Sequence, residues 1–201
     1  MSKTPNGNKV IGILAVLLTI YIAFFFAKPI NLSTADLGRH IVNGELILNG
    51  TWDVLYSNHF SFTEQNHEFI NHHWGSGVVF YLVHKIADFE GLSALYVLLT
   101  ILAFLFMGMA ARVKNHVAVV SLSIIAIVPL VAYRVEVRPE GISYALLAGY
   151  YLLFAKFRAQ QISIKKLAIP LLILQVLWVN MHIFFFLGII VAGAFWLENS
   201  S

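Results

Sequence analysis

Asp36, Arg39, His40 and Asn43 stand within STADLGRHIVNGELILNG, residues 33–50, directly after the first long apolar run. On a helix beginning near Ser33 or Thr34 these four side chains share one face. A carboxylate so placed can act as a general base or hold a metal. An arginine offers a fork of donors to phosphate, and a histidine and an asparagine can line the same cavity. Charge is costly next to hydrocarbon, so ionisable residues at a membrane are functional by default. The plainer reading of Asp36 is helix capping, because Ser33 and Asp36 have the capping-box spacing with Asp in place of Glu.

Three further groups carry polar chemistry. His40, His59, His67, His72, His73 and His84 all fall within residues 28–90. A zinc site needs about four ligands at fitting separations, and no HExxH or comparable spacing occurs. His72 and His73 are adjacent and cannot share a helix face. They are read as walls of a cavity, with Trp74 as an interfacial anchor. In YRVEVRPEG, 133–141, Arg134, Glu136, Arg138 and Glu140 alternate in sign, and Pro139 prevents a continuous helix. The stretch is either an ion-paired turn or a phosphate-binding one. In LWVNMHIFF, 177–185, Asn180 and His182 interrupt an apolar run, which suits a cavity lining or a plain turn.

The elements that must position these residues are set by composition. The chain of 201 residues is 59% hydrophobic and 11% charged, against about 25% charged in soluble domains. It reads as an all-α membrane protein and a single transmembrane module with no internal boundary. It has no cysteine, which excludes disulfides, thiolate metal sites and cysteine nucleophiles. The first run, 9–27, continues into AFFFAKPINL without a small-residue cleavage site, so it is a retained span. Further spans are predicted near 91–111, 117–133 and 141–155, followed by two short segments, 167–179 and 183–197, making about six. Residues 74–87 are too short for a span and predict an interfacial helix or the lead-in to the second one. Residues 28–90 form a large loop carrying interfacial amphipathic helices.

Charge fixes the orientation. Lys3, Lys9, Arg112, Lys114, Lys156, Arg158, Lys165 and Lys166 lie in one set of segments without an acidic residue. The alternate segments, 28–90 and 134–140, hold nine of the ten acidic residues and five basic ones. The amino terminus is therefore expected in the cytoplasm and residues 28–90 outside. Arg134 and Arg138 then face outward against the usual bias, as a phosphate-bearing substrate would require. No P-loop, GxSxG elbow or dinucleotide fingerprint is present, and the scattered basic residues do not indicate nucleic acid.

The order of these residues resembles the first outer loop of polytopic glycosyltransferases of the GT-C type. It is closest to the bacterial proteins described as dolichyl-phosphate-mannose-mannosyltransferase-like. Asp36, His40, Gly44, Asp53, Ser57, His72 or His73, and Trp74 carry that order. VRPEGISYALLAGYYL and LWVNMHIFFFLG resemble later segments, so the likeness covers residues 9–190. It implies transfer of a sugar from a polyprenyl-phosphate donor at the outer face of a bacterial or archaeal plasma membrane, to a glycan, lipid or protein acceptor. Asp36 is then the general base, and Arg138, with Arg134 behind it, holds the donor phosphate. Arg39, His40, Asn43, His72, His73, Asn180 and His182 line the substrate site. Glu140 is the residue for a divalent ion, Mg or Mn. The family carries at least seven spans, so this chain is expected to be an amino-terminal portion. The alternatives are a non-catalytic membrane protein, a transporter or assembly subunit on the same scaffold, and a metal-dependent hydrolase resting on the histidines. A transporter would show repeated halves and polar residues at mid-span, which 91–111 and 141–155 almost lack.

Overall fold

A computed structural model describes residues 5–30, 36–64, 67–113, 116–133 and 136–200. Among these the chain is all-α, with seven helices: α1 (Pro5–Phe26), α2 (Leu37–Leu48), α3 (Trp74–Val113), α4 (Val117–Val131), α5 (Glu140–Arg158), α6 (Ile164–Met181) and α7 (Phe186–Ser200). Trp52–Leu55 and Ile183–Phe185 form 3-10 turns, and a lone bridge pairs Ser57 with Glu68.

Three helices, α1 from Gly7, α3 and α6, are long and apolar enough to cross a membrane. On α1, Val10, Ile13, Val16, Leu17, Ile20 and Phe24 all point outward. A helix apolar all round and left uncovered by its own chain needs apolar surroundings. The segments expected at 117–133 and 183–197 form α4 and α7, of 15 residues each. That gives about 22 Å of helix, short of a hydrocarbon core of about 30 Å. The segment expected at 141–155 forms α5, which turns a face of small residues, Gly141, Ala145, Ala148 and Gly149, toward α3 and buries Ser143 on another side.

Residues 74–87 are continuous with the apolar stretch that follows them. They form the first part of α3, which runs on to Val113 across a break at Ala87 and Asp88. Asp88 takes φ 50° and ψ −150°, a positive-φ conformation outside the left-handed helical region and one that side chains other than glycine rarely adopt. Its carboxylate accepts the Phe89 amide at 2.9 Å and so caps the second part of the helix. Gly91 lets the two parts fold closely, since a Cβ there would lie 2.6 Å from the Ala87 Cβ.

The two larger of four apolar clusters hold most of the bundle. Ile22 and Phe26 of α1, Leu37 of α2, Phe80, Leu92 and Tyr96 of α3, and Ile124 and Val128 of α4 form the first. Tyr150 and Phe154 of α5 with Leu167 and Trp178 of α6 form the second. α3 belongs to the first cluster and packs most extensively on α2 and α5. Its amino-terminal end is where the polar residues gather.

Candidate functional site

Gly44 and Gly77 set the geometry of the site. A Cβ on Gly44 would overlap the Gly77 carbonyl, and one on Gly77 would lie 2.8 Å from the His40 carbonyl oxygen. α2 and α3 therefore touch backbone to backbone. This contact splits the face on which Asp36, Arg39, His40 and Asn43 were expected to stand together. His40 and Asn43 are driven into the interface, 3% and 5% exposed, beside Leu37 and Ile47. Asp36 and Arg39 remain at the rim.

Asp36 occupies the cap position of α2, yet its side chain makes no capping bond. Its Oδ2 instead accepts a hydrogen bond from Arg39 Nη2 at 2.9 Å and lies 3.5 Å from His40 Nε2. The helix starts at Leu37; Ser33 and Thr34, and the capping box they would complete, lie outside the described residues. Partial burial pushes the Asp36 pKa up, but His40, Arg39, its own backbone amide and Arg138 pull it down. The balance falls below the usual carboxylate value. Asp36 is thus ionised at neutral pH.

Behind it runs a row of imidazoles. His40 and His73 have ring centroids 5.5 Å apart, and His73 and His182 5.1 Å apart. His72 flanks His73 at 4.3 Å. Trp178 Nε1 donates to Ser143 Oγ at 2.7 Å, and Ser143 Oγ lies 2.8 Å from His182 Nδ1. A hydroxyl that already accepts from Trp178 has its proton free for His182. Burial, above all, lowers the pKa of His40 to about 4, of His73 to about 3 and of His182 to about 4. All three are neutral at pH 7. The row joins α2, the turn before α3 and the end of α6, segments far apart in sequence.

The Asn180 side chain, expected to line the substrate site, is engaged at both ends. Its Oδ1 accepts from Trp74 Nε1 at 3.0 Å and its Nδ2 donates to the Val176 carbonyl at 2.7 Å, so both ends of the amide hold structure. Trp74 is correspondingly tied to α6. Ser76 Oγ donates to the Met181 carbonyl, one of the groups a helix end leaves unpaired. The end of α6 is thereby docked on the start of α3, which fixes His182 against His73.

Arg138 lies between α4 and α5, with its Nε 2.6 Å from Glu136 Oε2. The turn is ion-paired, and Arg138 is still close enough for its charge to lower the Asp36 pKa. Arg134 lies outside the described residues. Glu140 opens α5 and its charge is felt at His40. Among the described residues no three His, Cys, Asp or Glu side chains are grouped to hold a metal ion.

Sequence reasoning missed Asn71, Ser143 and Trp178. Asn71 is 5% exposed, and its Oδ1 accepts the His73 amide at 3.3 Å. Asn71 shares with Arg39, His40, Asn43 and His73 a cavity of about 420 Å³, closed on the other side by residues 57–61 and Phe69. Asn71 precedes the paired histidines in INHHW, which is the one local sign of its place; Ser143 and Trp178 carry none. No protein-family profile, curated protein or solved structure matches this chain.

Proposed function

We propose that the chain is an integral membrane glycosyltransferase, or a portion of one, that moves a sugar from a polyprenyl-phosphate donor to an acceptor hydroxyl, with Asp36 as general base. The observation that carries this reading is the setting of Asp36. Its carboxylate is ionised, half-exposed, and bracketed by Arg39, His40 and the charge of Arg138. In the reaction the acceptor oxygen attacks the anomeric carbon and gives its proton to Asp36. The bond from that carbon to the phosphate oxygen breaks, and the phosphate leaves with the electron pair. Arg39 and Arg138 stabilise the departing anion, the work for which arginine forks are suited. The neutral histidines exclude bulk water without adding charge beside the base. On the positive-inside pattern, this chemistry belongs to the non-cytoplasmic face.

Arg138→Lys tests the donor half of the reading, because lysine keeps the charge and loses the fork. The full-length protein in liposomes is titrated with a polyprenyl-phosphate hexose. The variant is expected to bind it about tenfold more weakly at an unchanged melting temperature. Equal binding would reduce the stretch 136–140 to an ion-paired turn.

A further inference from the structure

Gly12 of α1 and Gly108 of α3 are the reverse of Gly44 and Gly77. Glycines in apolar helices usually let two helices touch, yet a Cβ added at either of these would meet nothing within 4 Å. Both line a cavity of about 290 Å³ between α1, α3 and α4. On α1 its lining runs from Asn8 to Ile22, which at 1.5 Å per residue is about 21 Å of helix. A volume so small, drawn out so far, is a slot for one chain and not a hole for a compact molecule. It ends at Ile22 and Ile124, both buried in the first apolar cluster. Tyr21 ties α1 to α4 there, its hydroxyl donating to the Ile125 carbonyl at 2.8 Å.

The polar groups are graded along the slot. Asn8 and Arg112 stand at its other end, where Arg112 Nη2 donates to Asn8 Oδ1 at 3.0 Å. Ser121 lies one turn in from the start of α4, and Thr19 donates its hydroxyl to the Ala15 carbonyl at 2.8 Å, within its own helix. Asn8 is neutral, so its bond leaves the Arg112 charge uncompensated. Residues 1–35 and 91–135, which include every residue lining the slot, contain neither Asp nor Glu. A guanidinium carries five N–H donors, and Asn8 takes one of them. What remains is an exposed cationic fork over the mouth of a narrow apolar slot.

That combination selects an amphiphile with an anionic head and a long hydrocarbon chain. A free phosphate would leave the slot empty, and a neutral lipid would leave the arginine fork unserved. In a bilayer the molecule with both parts is an anionic phospholipid. We infer that the slot binds one acyl chain of an anionic phospholipid whose phosphate is held by Arg112, the second chain staying in the bilayer. On the positive-inside pattern this is a lipid of the cytoplasmic leaflet. The site lies at the far end of α3 from His73 and does not rest on the transfer reading.

The test titrates the full chain in detergent with phosphatidylglycerol and, separately, with phosphatidylcholine carrying the same acyl chains. Bound lipid is counted by native mass spectrometry. Phosphatidylglycerol should bind about tenfold more tightly than phosphatidylcholine, the scale of one charge-assisted contact. Arg112→Gln should remove that preference while keeping the chain contacts, so that the two lipids bind alike. Gly108→Leu puts a side chain into the slot and should weaken both lipids about tenfold. Leucine meets open space there and is the better helix former, so without lipid this variant should melt no lower than the unmodified protein. Should it fail to fold, Gly12→Leu fills the slot from the opposite helix and decides. Equal binding of the two lipids by the unmodified protein, no binding of either, or a preference that survives Arg112→Gln would overturn the assignment. Unchanged binding by the folded glycine variant would overturn it too, and leave the slot to detergent or to another helix.

Discussion

Gly44 lies against the carbonyl of Gly77, so that the backbones of α2 and α3 meet with no side chain between them. Every buried polar group of α2 reaches the site through this contact. Gly44→Ala places a methyl group where backbone stands, and backbone cannot rotate aside. A loss of about 1–3 kcal/mol is expected, as for other overpacked interfaces, read as a lower melting temperature in detergent. Gly38 faces open space, and Gly38→Ala should leave the melting temperature unchanged or raised. Equal effects at the two positions would mean that the close contact does not hold the site.

The histidine row predicts an acid sensitivity. His40, His73 and His182 are held neutral, with pKa values of about 4, 3 and 4 against 6.5 when unfolded. The unfolded chain therefore binds more protons than the folded one below pH 6.5, and stability falls as pH falls. Stability from this source is complete above about pH 6.5 and declines toward pH 4. Asp36 and Glu140 oppose the shift at His40, while Arg39 and His72 work with burial at His73. Asp36, itself depressed, adds to the loss only below about pH 4. Melting temperatures between pH 8 and 4 should be level and then drop below 6.5. A curve that stays level to pH 4 would mean that the histidines are hydrated and charge freely.

How much of this was legible in the sequence depends on the distance between partners. The interval of 36, 39, 40 and 43 placed four residues on one helical face, and the interruption at Asn180 and His182 marked the end of α6. Helical period does not report depth, which is why His40 and Asn43 were not separated from Asp36 and Arg39. Depth came from Gly44 meeting Gly77, a contact between two helices that no local pattern announces. Asn180 looked like a cavity residue because it is polar among apolar neighbours, but Trp74 uses its oxygen. Ser143 and Trp178 were invisible for the same reason, since each joins the site only through contacts between helices. The apolarity of α1, α3 and α6 was read directly, but α6 runs over Ile164–Met181, longer than the short segment expected at 167–179, and α3 takes in residues 74–87 together with the span expected at 91–111. The segment expected at 141–155 is the helix α5, and its composition did not announce that Ala145 and Ala148 pack against α3.

The orientation follows from the charge pattern and is open to chemical labelling. Single cysteines at Thr63 and Gln161, both exposed, are compared in a chain with no cysteine of its own. An impermeant thiol reagent on intact cells should label Thr63→Cys and spare Gln161→Cys until the membrane is opened. The reverse pattern would put the Asp36 side of the protein in the cytoplasm.

The central claim is that Asp36 takes the acceptor proton, and Asp36→Asn tests it most directly. A capping residue contributes about 1 kcal/mol and tolerates asparagine well, and here the carboxylate makes no capping bond. A general base does not tolerate asparagine, because the amide has no lone pair basic enough to take a proton. The measurement is sugar transfer from a polyprenyl-phosphate hexose to a glycoside acceptor by the full-length protein in liposomes. The unmodified protein should transfer, and Asp36→Asn should lose about 10²–10⁴-fold in rate at an unchanged melting temperature. Transfer by the variant at the wild-type rate, or none by the unmodified protein, would contradict the account.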